Sequence, residues 1–220
     1  MSFPPFQAID REAIWAGLFS YLKSRLWAAP WIASTGVTTG TVVADRYGHL
    51  QKAQNNGTTG ATPPAFSQSG GTVTDNPGVS QVVWKDTGAG VVSIGRKHKQ
   101  PPALGMAEQP ALFVVQIQQN YAPKPYPGVP TRIALHGYLI LYLVSDAPVE
   151  DIGAEQLLCA TQMNAIYKAI DTALLPDNVD GKFTIGGLVE HCWIEGDTRE
   201  DPGILGNQAA AILPLHILVP

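Results

Sequence analysis

The stretch from Thr131 to Val144 reads TRIALHGYLILYLV, and its alternation decides the fold class. Successive strand residues point to opposite faces. Ile133, Leu135, Leu139, Leu141 and Leu143 therefore share one uniformly aliphatic face, while His136, Tyr138, Ile140 and Tyr142 share the other. A long strand with one such face must bury it against another layer. Upstream, ALFVVQIQ (Ala111 to Gln118) predicts a second apolar strand, joined to the first by the Pro-rich loop YAPKPYPGVP. Two further strands are expected, around Gly187 to Glu195 and Ala209 to Val219.

Helical periodicity supplies the covering layer. Asp10 is placed to cap a helix running to about Leu26, with Trp15, Leu18, Phe19, Leu22 and Leu26 on one side. A second helix is expected from about Ala154 to Leu175, with Cys159, Met163, Ile166, Ile170 and Leu174 as its stripe and Pro176 helping to stop it. The order helix, strand, strand, helix, strand, strand predicts an α+β fold, an antiparallel-rich sheet with two helices on one face. From residue 34 to 90 the composition changes to Gly, Thr, Ser, Asn and Pro, with short β-prone runs such as TVVA and VSQVVW. So long a helix-free segment is unusual within one compact unit. Residues 34–90 are expected to be an inserted small β module, leaving 1–33 and 91–220 as a discontinuous core.

Composition narrows the function classes. The 220 residues are 45% hydrophobic and 15% charged, with net charge −4 and pI near 5.7. This is the balance of a folded chain and a poor match to proteins that grip nucleic-acid phosphates. The one basic cluster is Arg96-Lys97-His98-Lys99. No apolar run approaches the roughly 18 residues of a membrane-crossing helix, and the N-terminus lacks the pattern of a secretory signal. Cys159 and Cys192 form no disulfide framework, which fits synthesis in a reducing cytoplasm.

Chemistry is suggested most strongly by GLVEHCWIEGDTRED, Gly187 to Asp201. On a strand, His191 would lie with Val189 and Trp193, and Cys192 with Glu190 and Ile194. Neighbours on opposite faces cannot form the nucleophile–base hydrogen bond of thiol catalysis, so Cys192 is read as a strand cysteine and no catalytic residue is assigned. The five histidines are scattered and no Cys pair exists, so no metal site is expected. NNGTTGATPP and SGGTVTDNPG lack the context of phosphate loops and are read as turns. Gly186 and Gly187 mark a turn or bulge before a strand. No cofactor is implied.

Outside the insertion, the pieces resemble, in order, the tail terminator (tail completion) proteins of long-tailed bacteriophages. The likeness lies in REAIWAGLFSYLKS, in VVSIGRKHKQPPALGMAEQPALFVVQ, in QMNAIYKAIDTALLPD followed by FTIGGLVEHCWIEG, and in the C-terminal DPGILGNQAAAILPLHILVP. The resemblance implies a homo-hexameric ring on the last ring of the tail tube. Such a ring stops tube polymerisation and presents a joint to the neck or connector protein, and genomic double-stranded DNA passes through its lumen without sequence-specific binding. It places the protein in the virion, with no membrane partner. Candidate inter-subunit or partner contacts are then Arg96, Lys97, Tyr126 and Arg199. The acidic loop Glu195, Asp197, Glu200 and Asp201 is a candidate for the lumen or for a neighbour's arginine. Another head–tail joining protein or a tail tube protein would share this organisation.

The inserted segment, GHLQKAQNNGTTGATPPAFSQSGGTVTDNPGVSQVVWKDTG, resembles a short β module of phage tail and carbohydrate-associated proteins. Two alternatives stay open for it. Trp84 and Tyr47 are candidate glycan contacts in an adhesin-like reading, whereas a tryptophan in so small a module is more often its core.

Overall fold

The computed structural model describes residues 10–78, 80–100, 103–121, 133–144, 152–201 and 208–219, with side chains of the second helix described from residue 159 onward. In chain order the elements are α1 (Arg11–Leu26), β1 (Ala29–Pro30), β2 (Gly36–Val37), β3 (Val42–Ala44), β4 (His49–Ala53), β5 (Gly57–Thr58), β6 (Thr72–Asp75) and β7 (Val82–Ala89). They continue with β8 (Ser93–Gly95), β9 (Ala111–Tyr121), β10 (Ile133–Val144), α2 (Ile152–Ala173), β11 (His191–Ile194), β12 (Arg199–Asp201) and β13 (Gln208–Val219). The fold is mixed α+β. No described helix is long and apolar enough to cross a membrane.

The main sheet has the order β11-β13-β10-β9-β8, with β12 also on β13. The long aliphatic-faced strand, β10, lies at its centre. It runs antiparallel to β13 along its whole length, from Ile133↔Val219 to Val144↔Gln208, and antiparallel to β9 on the other side. This register aligns Leu135, Leu139, Leu141 and Leu143 with Ile217, Leu213, Ala211 and Ala209, all of them buried. They share one hydrophobic cluster with Ile14, Trp15, Leu18, Leu22 and Leu26 of α1 and with Cys159, Met163, Ile166 and Ile170 of α2. At the start of α1, the Asp10 carboxylate accepts from Ala13 N at 3.0 Å, satisfying a helix-end donor. The opposite face of β9 and β10 holds a smaller cluster of Leu104, Ala111, Phe113, Ile140 and Tyr142.

One position shows how closely α1 lies on the sheet. Between His136 and Gly137 the β9–β10 register shifts, and Ile117 is the extra residue of the bulge. A Cβ added to Gly137 would lie 2.5 Å from Trp15 Cη2 and 2.5 Å from the Val115 carbonyl oxygen. Glycine lets the indole sit directly on the strand backbone.

The Gly- and Thr-rich segment forms a second sheet, order β1-β3-β4-β7-β6, and a two-stranded pair β2–β5. Val43, Ala53, Val82 and Trp84 form its own core, with Trp31, Val37, Phe66 and Val73 packed against them. This sheet begins earlier than the expected boundary at residue 34, because Ala29–Pro30 pairs in parallel with Val43–Ala44. With so small a core, its loops are held by buried aspartates. Asp45 accepts from Tyr47 N, His49 N and Gln51 Nε2 at 2.8, 2.9 and 3.1 Å. Asp75 accepts from Trp31 Nε1, Trp84 Nε1 and Gly60 N at 2.9, 3.2 and 2.9 Å. Asp86 accepts from Gly70 N and Gly88 N at 2.8 and 3.0 Å and lies 3.1 Å from His49 Nδ1. A buried carboxylate is tolerable only when so fully partnered.

Candidate interaction surfaces

Cys192 and His191 lie on opposite sides of β11. Cys192 is 0% exposed, and burial pushes its thiol up to about 12, so the reactive thiolate is absent near neutral pH. His191 Nδ1 accepts from Phe183 N at 3.2 Å, and its ring stacks on Trp193 with centroids 4.7 Å apart. Trp193 in turn stacks on His216 at 5.6 Å, and His216 meets His136 edge to face at 4.6 Å. These rings lie in register across β11, β13 and β10. Burial, and then the neighbouring His216, hold His136 below the usual histidine range. Val189, expected beside His191, is buried instead. The chain enters β11 through a turn in which Ile185, Gly186 and Gly187 all have positive φ, so strand alternation does not extend back to it. Among the described residues no group of three or more His, Cys, Asp or Glu is arranged to hold a metal.

The acidic end of this stretch is exposed from Glu195 to Glu200, but its last residues are strand rather than loop. Arg199–Asp201 pairs with β13 through Arg199↔Ile212, Glu200↔Ala211 and Asp201↔Ala210. Glu200 accepts from Tyr167 Oη at 2.8 Å, and burial followed by this bond raises the tyrosine's pKa. Glu195 accepts from Trp193 Nε1 at 2.6 Å, while Asp197 and Arg199 are exposed. Glu195 and Glu200 are thus held by different side chains, Trp193 and Tyr167.

The basic cluster is also divided. Arg96 forms a salt bridge with Glu12 of α1, with Nη2 donating to Oε2 at 3.1 Å. His98 stacks on Tyr142 with Nε2 2.8 Å from its hydroxyl. Lys99 donates to Glu108 at 2.6 Å. Lys97 is exposed. Of the candidate contacts, Arg96 is therefore already engaged within the chain, Lys97 and Arg199 face solvent, and Tyr126 lies outside the described residues.

Trp84 is not a surface ring. It is 0% exposed, its indole N–H is bound to Asp75, and Phe66 meets it edge to face at 6.1 Å. A ring so enclosed cannot stack on a sugar, so the glycan-contact assignment is overturned for this residue. Tyr47 is half-buried and lines a cleft of about 730 Å³ together with Trp31 and Phe66. Sequence reasoning passed over Trp31 because it falls just outside the compositional shift that begins at Ser34.

The other exposed feature is the outer edge of β9. Strand β8 pairs with β9 only at Ala111, Leu112 and Phe113. From Val114 to Tyr121 that edge has no strand partner among the described residues. Gln116 to Tyr121 are all exposed, with Ile117 and Tyr121 each 55% exposed. Tyr121 Oη accepts from Arg11 Nη2 at 2.7 Å. The run VQIQQNY contains no charge and no proline, the residues that usually protect an edge; among the described residues the bulge at Ile117 and the Arg11 side chain on Tyr121 are what protect it.

No protein-family model matches the chain, and no curated protein matches it significantly.

Proposed function

We propose that this chain is a structural virion protein that forms a ring on the head-proximal end of a phage tail tube. The ring stops tube growth and provides the joint to the neck protein. The observation that carries the reading is the uncharged outer edge of β9, whose exposed Ile117 and Tyr121 fit a strand meant to be covered. Support also comes from the ordered likeness of α1, the Val91–Gln116 segment, α2 followed by the Phe183–Gly196 stretch, and the C-terminal segment to tail terminators. In this reading α1 and α2 cover one face of the main sheet, leaving the β9 edge and the exposed part of the opposite face, around Tyr138, for neighbours.

A ring needs a head-to-tail contact that closes by rotation. The β9 edge forms one half of it, and the exposed Lys97 and Arg199 pair with acidic groups of the next subunit. Six copies close the ring, as in the terminators it resembles. Net charge −4 suits a lumen through which DNA passes without sticking. The second sheet projects outward, where it leaves the channel clear.

Replacing Ile117 with lysine tests the carrying observation. The side chain is over half exposed, so the folding cost is within about 0.5 kcal/mol, while a lysine on the edge blocks strand addition. Purified tail tubes mixed with the unmodified protein should carry a cap at one end by electron microscopy. The Ile117→Lys protein should keep its circular dichroism spectrum and leave the tubes bare. Capping of equal extent by the variant would overturn the assignment of β9.

A further inference from the structure

Between the second sheet and the main sheet lies a cleft of about 730 Å³, a size typical of small-ligand sites. Its lining includes the aromatic rings of Trp31, Tyr47 and Phe66 together with Gln109 and Gln162. The rings are held in place by their own contacts. Trp31 Nε1 is bound to Asp75, Phe66 rests against the buried Trp84, and Tyr47 N is bound to Asp45 with the Arg46 guanidinium 4.4 Å over its ring. Such preorganisation lowers the entropic cost of binding.

Gln162 is the informative residue. It is only 8% exposed, lines the cleft, and its carboxamide makes no hydrogen bond among the described residues. Its amide atoms are not among the buried unpaired ones, so they stay open to the cleft and available to a ligand. Gln109 Oε1 accepts from Gln208 Nε2 at 3.1 Å, which leaves its own NH2 free to donate. The only charged lining residues described are Asp45 and Arg46. Both Asp45 oxygens are already occupied, and the Arg46 guanidinium lies on Tyr47.

We propose that this cleft binds a neutral oligosaccharide. Ring faces take the C–H faces of sugars, and a carboxamide offers a donor and an acceptor on one plane, matching a pair of neighbouring hydroxyls. An anionic ligand would meet one cation, Arg46, set beside the carboxyl group of Asp45. A purely apolar ligand would leave Gln162 unpaired. A proline-rich peptide brings carbonyls for the amide N–H groups but few donors for the Gln162 carbonyl. The site is independent of ring assembly, so Ile117→Lys leaves it intact.

The test titrates the full chain with neutral gluco-, galacto-, manno- and N-acetylglucosamine oligosaccharides, and separately with a proline-rich peptide. Calorimetry and tryptophan fluorescence are the readouts. At least one saccharide should bind, and Tyr47→Ala and Gln162→Leu should each weaken it about tenfold. Gln162→Leu should melt no lower than the unmodified protein, because it removes an unpaired amide; this separates lost binding from lost folding. Three results would overturn the proposal: no saccharide binding, unchanged affinity in Gln162→Leu, or tighter binding of the peptide than of any sugar.

Discussion

Trp84→Ala is expected to destabilise the second sheet by about 3–5 kcal/mol, the usual cost of deleting a buried aromatic side chain. The indole is the largest side chain in a core whose other buried members are Val43, Ala53 and Val82, so little remains to close the cavity. Phe66 loses its edge-to-face contact, and Asp75 keeps only Trp31 and Gly60 as donors. Urea unfolding followed by far-ultraviolet circular dichroism measures the loss. Limited proteolysis should show early cleavage between residues 54 and 71, where turns and loops predominate. Trp84→Phe retains most of the volume and should lose about 1–2 kcal/mol. A Trp84→Ala protein within about 1 kcal/mol of the original would contradict the placement of this ring.

Gly137→Ala is the second large effect, about 3 kcal/mol, toward the upper end for overpacking a core. The added methyl would lie 2.5 Å from a ring atom of Trp15 and 2.5 Å from the Val115 carbonyl oxygen. Trp15 is buried in the main cluster, and Val115 belongs to the paired part of β9, so neither is a flexible end that can swing aside. Separating α1 from β10 is the cheaper escape, and it opens the main core. The near-ultraviolet signal of Trp15 should change together with the midpoint of urea unfolding. A shift below about 0.5 kcal/mol would show that α1 does not press on this glycine.

These two residues also show what was legible in the chain. The alternation of TRIALHGYLILYLV identified β10 and its buried face because a strand has a fixed period of two. Asp10 marked the start of α1 because it meets a need confined to helix ends. Gly137 gave no such signal; its cause lies in Trp15, more than a hundred residues away in sequence. Trp84 carried two readings, core more often than glycan contact, and its burial against Asp75 and Phe66 settles which. Arg199–Asp201 reads as part of a polar loop because its side chains are charged, yet its backbone groups pair with β13. Of the candidate contacts, Arg96 proved to be tied to Glu12, a partner from α1 that no local pattern could reveal. The cleft was least visible of all. Trp31, Tyr47 and Gln162 converge from distant segments and carry no shared motif.

Tail length in particles made without this protein tests the central claim most directly. The account predicts tails of uncontrolled, excessive length without heads, because no ring ends the tube. Tails of normal length beside unjoined, filled or unfilled heads would contradict it and assign the protein to the neck.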